Sequence, residues 1–410
     1  MSFLVAQLGA RMHYAIPRML QAQGRLERLY TDICAAKGWP RCLRLIPETL
    51  RPAEVKRLLG RAPPGVPPDR ICAFTDFGWE YARRRRRADS PAKAAAVYLW
   101  AGKTFCERVI SRGFGGASSV YTFNSAGLEL LRHARRQGLR TVHEQTIAPM
   151  QIERELLRAE QAAFPRWQTP LPPDELTSEW IAREEEEWRE ADLILCGSQF
   201  VREGIAACGG PVNRCVPVPH GVDSTFEAPT SRAHEGPLRV LTVGEVGLRK
   251  GSPYVLAAAK LLPGRACFRM VGPISVQSLA LEQLRQHVEV LGPVPRSTVR
   301  EHYAWADVFL LPSLCEGSAT VTYEALACGV PVIATPNTGS IVREGVDGFI
   351  VPIRDPEAIA AKLELFISQP DLLETMSRNC HEGAREGSLA GYARRLNQAL
   401  ERLPTSSNPS

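Results

Sequence analysis

Glu316 and Glu324 stand eight residues apart in the run Pro312-Ser-Leu-Cys-Glu316-Gly-Ser-Ala-Thr-Val-Thr-Tyr-Glu324-Ala-Leu-Ala-Cys-Gly329-Val-Pro331. The apolar stretch Val308-Phe-Leu-Leu-Pro312 before them reads as a buried strand, and the residues after them have helical composition, with a stop at Gly329 and Pro331 just beyond. Strand, loop, helix is the predicted order. Glu316 then lies in the loop at the strand's carboxyl end, where Gly317 and Ser318 let the backbone approach a ligand closely. Glu324 lies about one turn inside the helix. Between the two carboxylates, the N–H groups of Ser318 to Thr322 point outward at the positive end of the helix dipole, an arrangement that holds phosphate without a metal. A carboxylate on each side of an anion site suits a ligand with hydroxyl groups at both ends, of which a nucleoside diphosphate sugar is an example. The dipole alone also favours acids at these two places, so spacing by itself leaves both readings open.

A chain of 410 residues has room for two domains, each with its own core, and 44% hydrophobic with 23% charged content is ordinary for a globular protein. No stretch approaches the roughly 18 to 20 apolar residues that span a bilayer. Met1 runs straight into Phe3-Leu-Val-Ala with no basic leader or cleavage site, so the expectation is a cytoplasmic protein. Eleven cysteines are scattered without Cys-x-x-Cys pairs or histidines at zinc spacing, which predicts reduced thiols and no metal framework. The formal charge of +6 is unevenly placed, with Arg83 to Arg87 unbroken. Such a run is a solvated face, or a peripheral contact with anionic lipid on the inner face of the membrane or with a phosphate on an acceptor. No nucleic-acid-binding module surrounds it, and Glu184 to Glu187 form an opposing acidic patch, so nucleic acid is not an expected partner.

Strand and helix patterns alternate in two sets. The first begins with the strand Phe3 to Gln7, a loop at Gly9-Ala10-Arg11 and a helix ending near Gly24. After an irregular or helical excursion over 37 to 70 it resumes with Ser119 to Phe123, the helix Ala126 to Gln137 and the strand Leu139 to His143. Residues 147 to 178 are Pro-rich and read as loop, followed by a charged helix near Glu179 to Glu190 and a short strand within Ala191 to Ser198. The second set starts at Leu238 and continues through Tyr254–Leu262, Cys267–Val271, Val288–Leu291, Val308–Pro312 and Pro331–Ala334. The expected fold is α/β: two Rossmann-like, doubly wound domains facing each other across a cleft, residues 1–223 and 238–388, joined by a linker at 224–237. A last helix at about 389–403 precedes a tail, 404–410, expected to be disordered. No internal repeat appears, and the Gly-x-Gly-x-x-Gly fingerprint is missing after the first strand, which argues against a solenoid and a nicotinamide oxidoreductase.

The full string around Glu316 and Glu324 resembles the Glu-x7-Glu signature of the retaining glycosyltransferases of family 4, from the Pro-Ser before the first Glu to the Glu-Ala-Leu-Ala-Cys-Gly-Val-Pro-Val after the second. Gly244-Glu-Val-Gly-Leu-Arg249-Lys250-Gly251 is similar to that family's donor loop, His220-Gly-Val-Asp223 to its domain-end motif, and Asn337-Thr-Gly-Ser340 with Gly345-Val-Asp-Gly348 to its later turns. The resemblance implies the GT-B fold, with the donor nucleotide on the C-terminal domain, the acceptor on the N-terminal one, and the final helix crossing back to the first domain. It implies that Lys250, helped by Arg249, faces the diphosphate, that Glu324 binds the ribose hydroxyls, and that Glu316 contacts the transferred sugar. It places the N–H groups near Ser318, Ala319 and Thr320 on phosphate oxygens and the turn at Gly292 and Val294 near the base. From the first domain it brings Gly9 and Ala10 close to the donor phosphates and His143 to the transferred sugar, with Glu144, Gln145 and His13 on the acceptor side. Two departures stand out. Glu245 occupies the place where many relatives have an arginine, so it points elsewhere or Arg249 takes that role. The first loop is Gly-Ala-Arg rather than a double glycine.

The reaction implied is metal-independent retaining transfer of a hexose-type sugar from a nucleotide-diphosphate sugar to a glycan, lipid-linked or small-molecule acceptor, in cell-surface polysaccharide or glycoconjugate synthesis. The departing phosphate takes the acceptor's proton. No Asp-x-Asp motif reads as a Mg²⁺ site, and no further cofactor is implied. Rivals on the same fold are a nucleotide-sugar hydrolase or epimerase and an inactive nucleotide-sugar-binding scaffold.

Overall fold

The computed structural model describes residues 1–223 and 236–403. The expected linker therefore falls almost wholly outside the described residues, as does the whole 404–410 tail. Among the described residues, thirteen strands form two sheets. The first contains β1 (Phe3–Gln7), β2 (Leu26–Thr31), β3 (Ile71–Ala73), β4 (Ser119–Phe123), β5 (Arg140–Gln145), β6 (Leu193–Cys196) and β7 (Cys215–Pro217), in the order β3-β2-β1-β4-β5-β6-β7. The second contains β8 (Leu238–Val243), β9 (Ala266–Val271), β10 (Val288–Gly292), β11 (Val308–Leu311), β12 (Val332–Ala334) and β13 (Gly348–Ile350), in the order β10-β9-β8-β11-β12-β13. Every pairing is parallel. Parallel strands need crossovers, and helices accordingly cover both faces of each sheet, which makes the central strands near-continuous apolar runs. Val308–Leu311, wholly buried, is such a run. The order reverses beside β1 and β8, the switch points where α/β sheets open a crevice at their strands' carboxyl ends.

Each half lends a helix to the other. Tyr392, Leu396, Ala399 and Leu400 of the final helix Leu389–Leu400 are buried with Phe3, Val5 and Leu29 of the first sheet. In the opposite direction, Trp167 is buried in the second core, with Leu157 and Phe164 packed against it.

That second exchange corrects the loop reading of residues 147 to 178. A helix, Met150–Ala163, follows Pro149, and the charged helix begins at Asp174, five residues before Glu179. Proline at a helix start costs nothing because its missing N–H would have no intrahelical acceptor there. The first turn is held by the N-terminal half, through Met150 N–H donating to Glu184 Oε2 at 2.8 Å. Further along, the carboxylate of Glu160, fully buried, accepts from Tyr254 Oη at 2.8 Å and Arg354 Nε at 2.5 Å in the other half. Strands β2, β3, β7 and β13 and the helices Thr75–Arg87 and Pro91–Arg112 complete the wound layers. No helix among the described residues is long and apolar enough to cross a membrane.

Candidate active site

The loop from β11 to the helix Thr320–Ala327 is pinned between the two halves. A Cβ on Gly317 would run into the carbonyl of Thr146, just past β5, so glycine is required here by the approach of the other half rather than by a ligand. Ser318 Oγ accepts the N–H of His220 at 3.1 Å and bonds the hydroxyl of Tyr323. The backbone N–H of Ala319 donates to Thr338 O at 3.2 Å and that of Glu316 to Asn337 O at 3.1 Å. Ala319 is therefore not an available anion donor, and the Ser318 hydroxyl is engaged in docking the halves. Thr320 and Val321 keep N–H groups with no backbone acceptor among the described residues, both partly exposed at the first turn.

Beside this turn lies the loop from β8. Gly251, at φ +73°, allows the chain to pass against the Pro312 carbonyl, and Lys250 is thereby laid along Gly244. Lys250 is buried, with Nζ 2.7 Å from Glu316 Oε1, paired by charge though not in line for a hydrogen bond. Arg249 Nη1 is 3.6 Å from the same oxygen. The Glu245 carboxylate bonds the hydroxyl of Ser275 and lies within electrostatic range of Arg249. Gln168, from the segment lent by the N-terminal half, accepts the N–H of Leu248 at 2.9 Å and so props this loop from behind. Glu153 of the same segment faces Arg249, and burial pushes its carboxyl up.

Glu324 is nearly enclosed, with Oε2 accepting from Tyr303 Oη at 3.1 Å and Oε1 3.4 Å from Arg296 Nη2. Burial raises its pKa, against the pull of Arg296 and Tyr303. Val294 packs on the cluster that holds Tyr303 and Ala319, and the Gly292 carbonyl accepts from Gly272 N–H at 2.9 Å.

The N-terminal wall differs from its expectation in several places. Gly9 donates its N–H to Asp32 Oδ1 at 3.1 Å, so that group is not open to phosphate. Ala10 follows, and Met12, His13 and Tyr14 all have positive φ (48°, 49° and 60°) in a left-handed turn. His13 lies on that turn, outside the helix Ala15–Ala22, and partial burial, followed by the charge of Arg296, lowers its pKa.

His143 does not face the cleft. Strand β5 runs on to Gln145, and with side chains alternating along it, His143 and Gln145 fall on one face and Glu144 on the other. The His143 ring is fully enclosed, 3.2 Å from Thr122 Oγ1 and 3.8 Å from Glu187, and burial pushes its pKa down to about 3. Gln145 is likewise spent on Glu184 and Trp188. Glu144 does reach the cleft side, at the floor of a cavity, bonded to Tyr121 Oη and 3.1 Å from His220 Nε2. Residue types gave no signal for Gln168, Glu153, Arg296 or Tyr303. Their roles come from which element folds against which.

Together these groups can neutralise a diphosphate through Lys250, Arg249 and the first turn of Thr320–Ala327, and can accept hydroxyls at Glu324 on one side and Glu316 on the other. No group of acids, histidines and cysteines among the described residues is arranged to hold a metal.

Residues 237–369 match the family model described as glycosyl transferases group 1. The chain is 28% identical over 248 residues to a putative colanic acid biosynthesis glycosyltransferase, WcaL, of Salmonella typhimurium, covering 56% of this chain and 61% of that protein. It is 32% identical over 232 residues to a D-inositol 3-phosphate glycosyltransferase of Geodermatophilus obscurus, covering 50% and 51%. The matches thus span about half to three fifths of these curated relatives. Among solved structures, sucrose-phosphate synthase from Thermosynechococcus elongatus superposes with a TM-score of 0.64 at 17% identity, over 98% of this chain and 99% of that one. Anabaena HepE, in complex with UDP and glucose, gives 0.62 at 15% identity, over 98% and 100%. The two facing sheets are those of the GT-B fold, and over residues 237–369 the chain matches the glycosyl transferases group 1 family.

Proposed function

We propose that this protein is a retaining glycosyltransferase that moves a hexose-type sugar from a nucleotide-diphosphate sugar to a glycan, lipid-linked or small-molecule acceptor, in polysaccharide or glycoconjugate synthesis. The observation that carries the reading is the set on one wall of the cleft: Lys250 against Glu316, the open N–H groups of Thr320 and Val321, and enclosed Glu324. Lys250, Arg249 and the helix start offset the charge that grows on the diphosphate as the sugar leaves. Glu316 accepts hydrogen bonds from hydroxyls of the transferred sugar and Glu324 from those of the ribose. The departing phosphate oxygen takes the acceptor's proton on the same face, so no protein base is needed and the enclosed His143 is no obstacle. Relatives named for colanic acid and amylovoran biosynthesis support a polysaccharide role, and a neighbour bound to UDP supports a nucleotide-sugar donor.

Peripheral contact with anionic lipid belongs to the same proposal. Arg83, Arg86 and Arg87 lie beside Trp79, whose exposed ring is stacked on exposed Trp39 at 5.6 Å.

The test is a panel of nucleoside diphosphates and their sugars, titrated calorimetrically, with the bound donor then offered to saccharide acceptors and the anomeric configuration of the product read by NMR. Binding and an α-to-α or β-to-β product support the reading. Inversion removes the retaining mechanism, and binding without turnover in every mixture supports the scaffold rival.

A further inference from the structure

Beside the cleft, within the N-terminal half, lies a cavity of about 620 Å³. Thr146, the residue against which Gly317 is pressed, is part of its lining, so the cavity borders the Glu316 loop. One side is aromatic: the rings of Tyr81 and Tyr98 are centred 6.3 Å apart and those of Tyr98 and Trp180 6.0 Å apart. Aromatic side chains lining a cavity can pack on the apolar C–H groups of a pyranose.

The charges are more telling. Three arginines line the cavity, Arg11, Arg61 and Arg85, with two acids, Asp32 and Glu144. Arg61 is used by Asp32 at 2.6 Å. Glu144 is turned to Tyr121 and His220 at the floor. Arg11 donates to Thr146 Oγ1 at 2.9 Å and has Glu144 and Glu187 only at electrostatic range. Arg85 lies against the Tyr81 phenol, whose pKa burial raises and this guanidinium pulls back. Neither Arg11 nor Arg85 makes an ion pair among the described residues. Both line the same cavity as Tyr81, Tyr98 and Trp180.

A neutral sugar gives two unpaired guanidinium groups nothing that a serine or asparagine would not. An acidic one does, because the planar guanidinium fork matches both carboxylate and phosphate oxygens. We propose that this cavity is the acceptor subsite for an acidic saccharide, its carboxylate or phosphate held by Arg85 and Arg11 while its ring packs on Tyr81, Tyr98 and Trp180. The inference rests on the glycosyl-transfer reading of the cleft. It gives Arg85 a separate task within the Arg83–Arg87 run: Arg84 pairs with Glu80 and lies 3.9 Å from the Trp100 ring centre, and the other three face outward.

The test is calorimetric titration of the full chain, with UDP present, using D-glucuronate, D-glucose 6-phosphate and methyl glucoside as probes. At least one acidic probe should bind about tenfold or more tightly than the neutral one, and which acid wins tells carboxylate from phosphate. Arg85→Gln, an exposed and structurally mild change, should erase the preference, whereas Arg83→Gln on the outer face should keep it. Equal binding of the neutral probe, no binding of either acid, or a preference that survives Arg85→Gln overturns the proposal. The nucleoside diphosphate panel, titrated without saccharide, separates the two levels: a nucleoside diphosphate bound without any preference for acids sinks the acceptor inference and leaves the transfer reading, while none bound sinks the transfer reading itself.

Discussion

Lys250 Nζ and Glu316 Oε1 stand 2.7 Å apart, so the cation proposed to meet the donor phosphate and the acid proposed to meet its sugar are each other's counter-ion. An arriving phosphate competes with Glu316 for Lys250 and Arg249. Lys250→Ala should therefore weaken UDP binding by about ten- to a hundredfold. Glu316→Ala should leave UDP binding unchanged or tighter while lowering turnover about a hundredfold. Calorimetry with UDP, beside steady-state kinetics, checks both. Equal losses of UDP affinity in the two variants would contradict this division of labour.

Glu324 is enclosed yet pairs with Arg296 and Tyr303, so its carboxylate is oriented before the proposed ribose arrives. Glu324→Gln keeps the shape and one acceptor oxygen. It should raise the donor KM about tenfold, the worth of a hydrogen bond to a charged group, with a smaller effect on kcat. A kcat loss without a KM change would place Glu324 at the reacting sugar instead.

The buried cluster around His143 predicts the pH dependence of stability. Burial holds His143 down at about 3 against an ordinary 6.5, so the unfolded chain takes up a proton that the folded chain refuses, and stability falls as pH drops from 6.5 toward 3. Burial pushes Glu184 up to about 8 and Glu187 to about 7 from 4.5, so the unfolded chain ionises first and their contribution is lost as pH rises from 4.5 toward 8. Melting temperatures of Glu184→Gln should gain on wild type steadily across that rise. Parallel melting profiles for the two proteins would refute the assignment. His143→Asn, assayed well below its melting temperature, should keep kcat/KM within about threefold, since the ring touches nothing in the cleft.

Gln168 reaches from the N-terminal half to the loop after β8, accepting from Leu248 two residues before Lys250. Losing one neutral hydrogen bond there costs about 1 kcal/mol. Gln168→Ala should raise the donor KM about fivefold with kcat and melting temperature little changed. A fall in melting temperature with donor KM intact would make Gln168 a structural tie only.

Much of the C-terminal half was legible from local pattern. Val308–Leu311, Val332–Ala334 and the helix stop at Gly329 lie within a residue of their expected places, because fully buried parallel strands leave unbroken apolar runs between glycine and proline signals. The segment 147–178 was not legible. Its prolines flank two helices, and the apolar residues Leu157, Phe164 and Trp167 face a core from the other end of the chain. The run Arg83–Arg87 was visible as charge, but its split among cavity, stacked ring and outer face needed the helix Thr75–Arg87 to be placed against its neighbours.

By itself the sequence determined the alternation of strand and helix and the acids and cations of the loops after β8 and β11, since residue type, period and glycine placement are local properties. Tertiary structure alone decided which of those groups are free to act. Ala319 and Gly9 have given their N–H groups to Thr338 and Asp32, and the alternation along β5 turns Glu144 to the cleft and His143 away from it. A hydrogen bond is consumed, and a face chosen, by partners remote in the chain, and their positions are fixed only when the two sheets meet.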